Sequence, residues 1–269
     1  MSDNTILLGA VAYDPKVVSI WEGIRDHFVE VGVPMDFALF SNYERQVESL
    51  LAGHIDVAWN TPLAHVRVRR RTEGKSLSLG MRDSDRDFHA RLIVRNGSGI
   101  HTPADLKGKR LAVGSRDSTQ ARILPLHFLR KQGVDLNQLT FVPFDSDLGK
   151  HGDTGKSELD VLAAIADGRA DAGTVGDLIW VTESAAGRID PAKLSSIWTT
   201  PPFDHCMFDA LPGISQSRSE GFRRALAEMK WDNPKHRRLL ELEGLKEWLP
   251  AREQGYASLI AALDETDGW

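Results

Sequence analysis

The fold of this chain is indicated most clearly by one stretch near its middle, which reads Gly99-Ile-His-Thr-Pro-Ala-Asp-Leu106-Lys-Gly108-Lys-Arg-Leu-Ala-Val-Gly114-Ser-Arg-Asp-Ser118-Thr119. A turn at Gly108 leads into a short apolar strand, and the polar residues after Gly114 are good N-terminal caps for a helix. Pro125 is then expected in the first turn of that helix, and Gly133 at its C-terminal end. The stretch therefore predicts a strand that passes directly into a helix at residues 117–120.

This strand-to-helix turn is a candidate anion site. The first backbone N–H groups of a helix have no partner inside the helix, and the helix dipole places positive charge at the same end. The hydroxyls of Ser118 and Thr119 add two donors to these amides. We therefore predict that the turn binds an anion without a lysine or an arginine. The alternative is that Asp117 or Ser118 serves only as a helix cap.

Strand-like and helix-like segments alternate along the rest of the chain. Short apolar or alternating runs predict strands at residues 6–12, 35–40 and 55–59. Apolar residues at helical spacing predict helices at residues 17–31, 43–52 and 62–71. This alternation predicts an α/β architecture.

The sequence also contains an internal echo, in which a helix, a glycine, two residues, an aspartate and a strand follow in the same order. One copy runs through Gly53 and Asp56, and the other through Gly168 and Asp171. Glycine suits a helix exit because it adopts a positive φ without steric cost. One copy in each half predicts two lobes of similar topology, although such a corner also arises by coincidence in α/β proteins.

The boundaries of the two lobes follow from two strand-like segments, residues 89–95 and 206–211, which we predict to be the crossings between lobes. Lobe one then comprises residues 1–92 and 207–269, and lobe two comprises residues 93–206. The charged helical segments at 220–229 and 234–245 are expected to pack on lobe one. Residues 145–157, rich in Gly, Asp and Lys, are expected to form the loosest loop, on lobe two.

The composition excludes some classes of partner. The net charge of −5 over 269 residues argues against a nucleic-acid-binding protein, which usually presents a basic face. No segment approaches the ~20 apolar residues of a membrane span, so we predict no membrane insertion. The first five residues run into the apolar segment 6–12 without the basic region or cleavage site of a signal peptide. We expect a cytoplasmic protein as the sequence stands, and a periplasmic one if a leader has been removed.

The motifs taken together resemble the phosphate/phosphonate-type substrate-binding proteins of ABC importers. Besides residues 99–133, the resemblance rests on Tyr43-Glu-Arg, on Gly53-His-Ile-Asp56-Val-Ala-Trp59-Asn-Thr-Pro62-Leu and on Ala170-Asp171-Ala-Gly-Thr-Val175. It covers residues 5 to about 212. It implies a two-lobed, periplasmic-binding-protein-like (type II) α/β fold with two hinge crossings, a ligand cleft between the lobes, a small anionic ligand and an ABC permease as partner.

The resemblance and the turn chemistry together give a set of candidate ligand contacts. The candidates are Ser118, Thr119, Gln120, Thr61, Asn60, Trp59, Tyr13, Tyr43, Asp177 and His151. Gln120 departs from the family pattern, which usually has Ser or Gly there. By resemblance Asp177 receives an amine of the ligand; otherwise it caps the helix at 178–183. Thr61 before Pro62 is also a good helix cap, and the tyrosines have packing as their alternative role.

Histidines near the predicted cleft give the candidate catalytic residues of an enzyme, namely His89, His205 and His65. Cys206 beside His205 raises the question of a nucleophile or a metal ligand. In a regular strand, neighbouring side chains point to opposite faces, so a buried structural cysteine is the preferred interpretation. We predict no metal site and no cofactor.

Two functions are consistent with these residues. The first is a binding protein that closes its two lobes on a small phosphonate-like, phosphate-like or carboxylate anion. The second is a cytosolic lyase, decarboxylase or biosynthetic enzyme on the same scaffold. The ligand itself is not specified by the sequence.

Overall fold

The computed structural model of the protein describes residues 5–266, which divide into two compact units. The first unit comprises the residues up to Asp87 together with Asp204–Ala257. The second comprises Phe88–Phe203 together with the residues from Ser258 onward.

Helices and strands alternate through most of this chain. The strands, in chain order, are β1 (Ile6–Val11), β2 (Met35–Phe40), β3 (Val57–Asn60), β4 (Leu77–Arg82), β5 (Ala90–Arg95), β6 (Arg110–Val113), β7 (Thr140–Pro143), β8 (Ala172–Gly176), β9 (Leu194–Thr199), β10 (Met207–Ala210) and β11 (Trp248–Leu249). The α-helices are α1 (Lys16–Glu30), α2 (Tyr43–Leu51), α3 (Pro62–Arg71), α4 (Leu124–Lys131), α5 (Lys156–Ala166), α6 (Asp177–Ala185), α7 (Gln216–Glu228), α8 (Pro234–Glu243) and α9 (Ala257–Asp264). The predicted α/β alternation is confirmed.

Each unit contains one mixed sheet, and the two sheets share a topology. The order is β11-β4-β10-β3-β1-β2 in the first unit and β7-β6-β8-β5-β9 in the second. In each sheet one strand lies between two parallel neighbours, β1 between β2 and β3, and β6 between β7 and β8. An antiparallel strand follows in each sheet, β10 beside β3 and β5 beside β8.

The internal echo of the sequence corresponds to a repeated contact in the two sheets. Asp56 accepts a hydrogen bond from the backbone N–H of Leu7 at 2.8 Å, and its own N–H donates to the Leu7 carbonyl. Asp171 makes the same pair of bonds with Arg110 at the start of β6. Each aspartate therefore joins the strand it precedes to the parallel strand beside it. This cross-strand role differs from the local turn bond that a cap provides.

The passages between the units differ from the predicted crossings. Strand β5 lies wholly in the second sheet and β10 wholly in the first, so neither strand is itself a crossing. The chain changes unit between Asp87 and Phe88, and again between Phe203 and Asp204. A third passage follows Ala257, because the C-terminal helix α9 belongs to the second unit, whereas two crossings were predicted.

Helix α9 is attached to its unit by polar contacts. The Nδ1 of His127 in α4 donates to a carboxylate oxygen of Glu265 at 3.0 Å, and Arg130 donates to the same oxygen. The predicted lobe one runs on through residue 269, so it includes α9, whereas α9 belongs to the second unit.

Candidate functional site

The Ser118–Gln120 turn lies at the carboxyl edge of the second sheet. Strand β6 ends before Gly114, and the parallel strand β8 ends beside it at Gly176. Ligands of open α/β sheets bind at this edge, where the loops after neighbouring strands meet. A π-helical turn, Thr119–Ile123, begins the helix that continues as α4. Such turns are rare and are frequent at functional sites.

The two hydroxyls of this turn have different surroundings. The Oγ of Ser118 accepts a hydrogen bond from the backbone N–H of Ala121 at 3.1 Å, so Ser118 is the N-cap. The Oγ1 of Thr119 is buried and has no hydrogen-bond partner among the residues that the structure describes. A buried hydroxyl without a partner carries an energetic cost of about 1–3 kcal/mol, which a ligand oxygen can offset. Thr119 is therefore the stronger candidate for ligand contact.

The loop at residues 145–157 lies directly against the turn. A Cβ built on Gly152 would stand 2.6 Å from the Oγ of Ser118 and 2.6 Å from the Nε2 of Gln120. Asp117 accepts from the backbone N–H of Gly149 at 2.6 Å, and Asp147 accepts from that of Ser157 at 2.8 Å. The segment is a loop, as predicted, but it is closely hydrogen-bonded.

His151 in this loop has a left-handed backbone conformation, with φ 52°, and is buried. Its Nε2 lies 3.9 Å from a carboxylate oxygen of Asp117. A non-glycine residue at positive φ is uncommon and is often found at binding sites, where the surrounding structure fixes it. The loop thus places His151 beside the residue that precedes Ser118.

Gln120, the departure from the family pattern, connects the turn to the end of β8. Its Nε2 donates to Glu158 at 3.3 Å, and the other carboxylate oxygen of Glu158 accepts from the backbone N–H of Gly176 at 2.6 Å. A Cβ on Gly176 would lie 2.9 Å from the Cγ of Gln120. This approach requires a glycine at the last residue of the strand.

Asp177, the next residue, begins α6 and is ion-paired within its own unit. The Nε of Arg91 in β5 donates to a carboxylate oxygen of Asp177. The backbone N–H of Asp177 donates to the carbonyl of His89 at 2.9 Å. The predicted partner of this carboxylate is an amine of the ligand or the helix start that it caps, and neither prediction includes the ion pair with Arg91.

In the first unit, a buried polar network joins several of the predicted site residues. Both oxygens of Asp209 accept hydrogen bonds, one from Asn60 at 2.9 Å and one from the Nδ1 of His65 at 2.8 Å. Gln46 donates to the amide oxygen of Asn60 at 2.9 Å. The ring of His65 packs on that of Tyr256 with their centroids 4.2 Å apart. The network therefore brings together Asn60 and His65.

The other candidates of this unit have packing or capping contacts. Trp59 lies in the core against Phe208 and Trp248, with ring centroids 4.4 and 5.7 Å away. Tyr43 is buried in a second apolar cluster of the unit, and Tyr13 packs partly buried against the first. Thr61 caps α3 by accepting from the N–H of Ala64. The contacts of Trp59 support core packing rather than ligand contact.

The histidines that begin the predicted crossings have local partners. The Nδ1 of His89 lies 2.7 Å from the carbonyl oxygen of Thr200. The Nδ1 of His205 lies 3.1 Å from the Sγ of Cys206 and 3.3 Å from an oxygen of Asp85. Both residues precede β10, so the alternation of a regular strand does not apply to them, and Cys206 is buried. Both oxygens of Asp85 also accept from Arg82, which balances its charge.

This cluster predicts a loss of stability in acid. Burial alone would raise the pKa of Asp85, but the Arg82 charge and the hydrogen bonds from His205 and Arg82 outweigh it and lower the pKa to about 2.

A carboxyl with a depressed pKa stabilises the folded protein at pH values above its ordinary pKa of 3.8, and this contribution is lost as the pH falls toward 2. We expect about 2 kcal/mol of unfolding free energy to disappear over this range. Urea denaturation at pH 5, 4, 3 and 2 measures it. Asp85→Asn should flatten that dependence, and an equally steep decline in the variant would contradict the assignment.

Several residues of the site were not identified from the sequence. Glu158, Gly176 and Asp209 contact the candidate residues, and Ser157 precedes Glu158 in α5, yet each lies in a helix or strand of ordinary pattern. Ser157 resembles Thr119 in that its Oγ is buried and without a hydrogen-bond partner within residues 5–266. Its position at the start of a helix after a glycine-rich loop is the one signal that could have identified it.

Comparison with known proteins gives the family and the fold. The chain matches the family described as "ABC transporter, phosphonate, periplasmic substrate-binding protein" over residues 11–256. A curated relative, the probable ABC transporter phosphite binding protein PhnD1 of Prochlorococcus marinus (strain MIT 9301), is 22% identical over 240 residues, or 86% of this chain and 78% of the relative.

Two solved structures show the same fold. PhnD1 in complex with methylphosphonate superposes with a TM-score of 0.78 at 18% identity, over 99% of both chains. XAC2383 from Xanthomonas citri bound to ATP superposes with a TM-score of 0.77 at 18% identity, over 98% of this chain and all of that one. The predicted type II periplasmic-binding-protein fold is confirmed.

The family match also distinguishes between the two functions that the sequence left open. It supports the small-molecule-binding protein and not the enzyme alternative. Within residues 5–266, no helix combines the length and the apolar character needed to cross a membrane. The match covers residues 11–256, which include all the motifs on which the resemblance rests. This chain belongs to the family of periplasmic substrate-binding proteins of phosphonate ABC transporters.

Proposed function

We propose that this protein binds a small phosphorus oxyanion, of the phosphite or alkylphosphonate class, and delivers it to an ABC permease from the periplasm. The observation that carries the proposal is the orphaned hydroxyl of Thr119 at the start of a helix, at the carboxyl edge of the second sheet. A helix N-terminus attracts anions through its free N–H groups and its dipole. The buried hydroxyl supplies the further donor that such an anion accepts.

The acidic residues around the turn have partners of their own, so their charges are compatible with an anion bound at Thr119. Asp117, Asp147 and Glu158 each accept a backbone N–H at 2.6–2.8 Å, which stabilises their charge within the loop. In particular, Asp147 accepts from the N–H of Ser157 near the start of α5. The anion is therefore expected at the Thr119 helix and not at α5.

The choice of ligand class is supported by relatives. PhnD1 is named as a phosphite-binding protein, and its structure contains methylphosphonate. The periplasmic location and the permease partner follow the family description in the same way. The closure of the two units on the ligand remains a prediction of the sequence analysis.

A thermal-shift screen of the whole protein tests the proposal. The panel comprises phosphite, methylphosphonate, inorganic phosphate, methanesulfonate and acetate. A ligand at 100 times its dissociation constant adds about 2.7 kcal/mol of stability. For a chain of this size that free energy raises the melting temperature by about 5–10 °C. We expect this shift with phosphite or methylphosphonate, and calorimetry of each hit gives its Kd.

The panel contains its own controls. Methanesulfonate has a tetrahedral oxyanion of similar size with a single charge, and acetate has a planar one. Stabilisation by acetate alone would overturn the assignment to phosphorus oxyanions. Recovery of the bound compound unchanged, checked by mass spectrometry, is expected of a binding protein.

A further inference from the structure

Asp177 directly follows Gly176, the end of β8, which lies against Gln120 of the proposed oxyanion turn. The preceding residue, Gly176, donates its N–H to Glu158, which also accepts from Gln120. Asp177 therefore follows directly on a residue that contacts the turn. Family resemblance assigns such a carboxylate to the amine of a ligand, but that role requires the carboxylate to meet the amine as an uncompensated negative charge.

Arg91 neutralises the charge of the Asp177 carboxylate from within the protein. It projects from β5, and its Nε donates to a carboxylate oxygen of Asp177. Both side chains are about one quarter exposed, so solvent only partly screens the pair. The helix dipole of α6 also stabilises the Asp177 charge, because Asp177 is the first residue of that helix.

A ligand ammonium would bind only weakly beside this ion pair. The pair is neutral as a whole, and the guanidinium repels a second cation at the same carboxylate. The ammonium would then lose hydration without gaining an ion pair, which is unfavourable in a partly buried site. The oxyanion end of the ligand is unaffected by this contact.

We infer that Arg91 is a specificity-determining residue, and that the protein takes phosphorus oxyanions without an amine in preference to aminoalkyl ones. This inference rests on the proposed function and adds the ligand class. Arg91 acts through Asp177, so it is a positioning residue and not a direct ligand contact.

The test compares two probes on the full-length protein by calorimetry, methylphosphonate and 2-aminoethylphosphonate. The measured quantity is the ratio of their dissociation constants. Wild type should bind methylphosphonate at least tenfold more tightly. Arg91→Gln should shift the ratio at least tenfold toward 2-aminoethylphosphonate, because Asp177 then presents its charge to the ammonium.

Three further variants separate specificity from a merely structural effect. Arg95→Gln makes the same charge change at an exposed position of the same strand and should leave the ratio unchanged. Arg91→Lys should retain the wild-type preference, because a cation again faces Asp177. The double variant Arg91→Gln with Asp177→Asn should lose the gain for the amine. Thermal melting of each variant verifies that it is folded.

The outcomes also separate this inference from the proposed function. Wild type that binds both probes equally, or the amine more tightly, overturns the inference while the proposed function stands. A ratio that Arg91→Gln and Arg95→Gln change alike overturns it as well. Wild type that binds neither probe overturns the inference, and it overturns the proposed function as well if phosphite is not bound either.

Discussion

Replacing Asp209 with alanine is expected to lower the free energy of unfolding by about 3–5 kcal/mol. The carboxylate is fully buried and accepts hydrogen bonds from Asn60 and His65. Its removal leaves an amide N–H and an imidazole N–H buried without acceptors, and it opens a cavity beneath them. The midpoint of urea denaturation, followed by tryptophan fluorescence, measures the loss.

Two matched variants make the Asp209 prediction specific. Asp232→Ala removes an exposed aspartate of the same unit and should change stability by less than about 0.5 kcal/mol. Asp209→Asn keeps the shape and one oxygen acceptor, so its loss should fall between the two. Equal losses in Asp209→Ala and Asp232→Ala would show that the network contributes nothing.

Thr119→Val is expected to raise the Kd for the bound oxyanion by about 10- to 100-fold, since a hydrogen bond to a charged group contributes about 1.5–3 kcal/mol. Valine has nearly the same shape as threonine and lacks the hydroxyl. Because that hydroxyl has no partner among the described residues, its removal costs the folded protein no internal hydrogen bond. We therefore expect weaker binding, measured by calorimetry, with unchanged or slightly higher stability.

Ser118→Ala is the contrasting variant, one residue away. It removes the N-cap bond to Ala121 and should cost about 1 kcal/mol of stability. The two substitutions thus separate a ligand contact from a cap. A Thr119→Val protein that binds the oxyanion as tightly as wild type would remove Thr119 from the site.

Much of the fold could be predicted from residues close together in the chain. The helix over residues 62–71 and the strand over 35–40 were placed to the residue, because Thr61-Pro62 is a complete start signal and the apolar alternation is unbroken. The echo through Gly53 and Gly168 likewise indicated the shared topology of the two sheets. Both glycines have the positive φ that the helix exits require.

The site was predicted less completely. The Ser118–Gln120 turn was identified because a cap, a hydroxyl pair and a helix start lie within four residues. Nothing local indicated that Ser118 would cap while Thr119 remained unpartnered. The loop at residues 145–157, which the pattern predicted only as a loose segment, also lies closely against this turn.

The sequence by itself determined the α/β class, the family and the helix start that carries the proposed anion site, because each depends on residues within one turn or one strand of each other. Only the tertiary structure decided the partners of the buried charges. Asp209 meets Asn60 across 149 residues of chain, and Arg91 meets Asp177 across 86. Hydrophobic periodicity says which face of an element is buried, but it does not say which polar group from a distant element will lie opposite. The contact that we propose to set ligand choice is of this second kind.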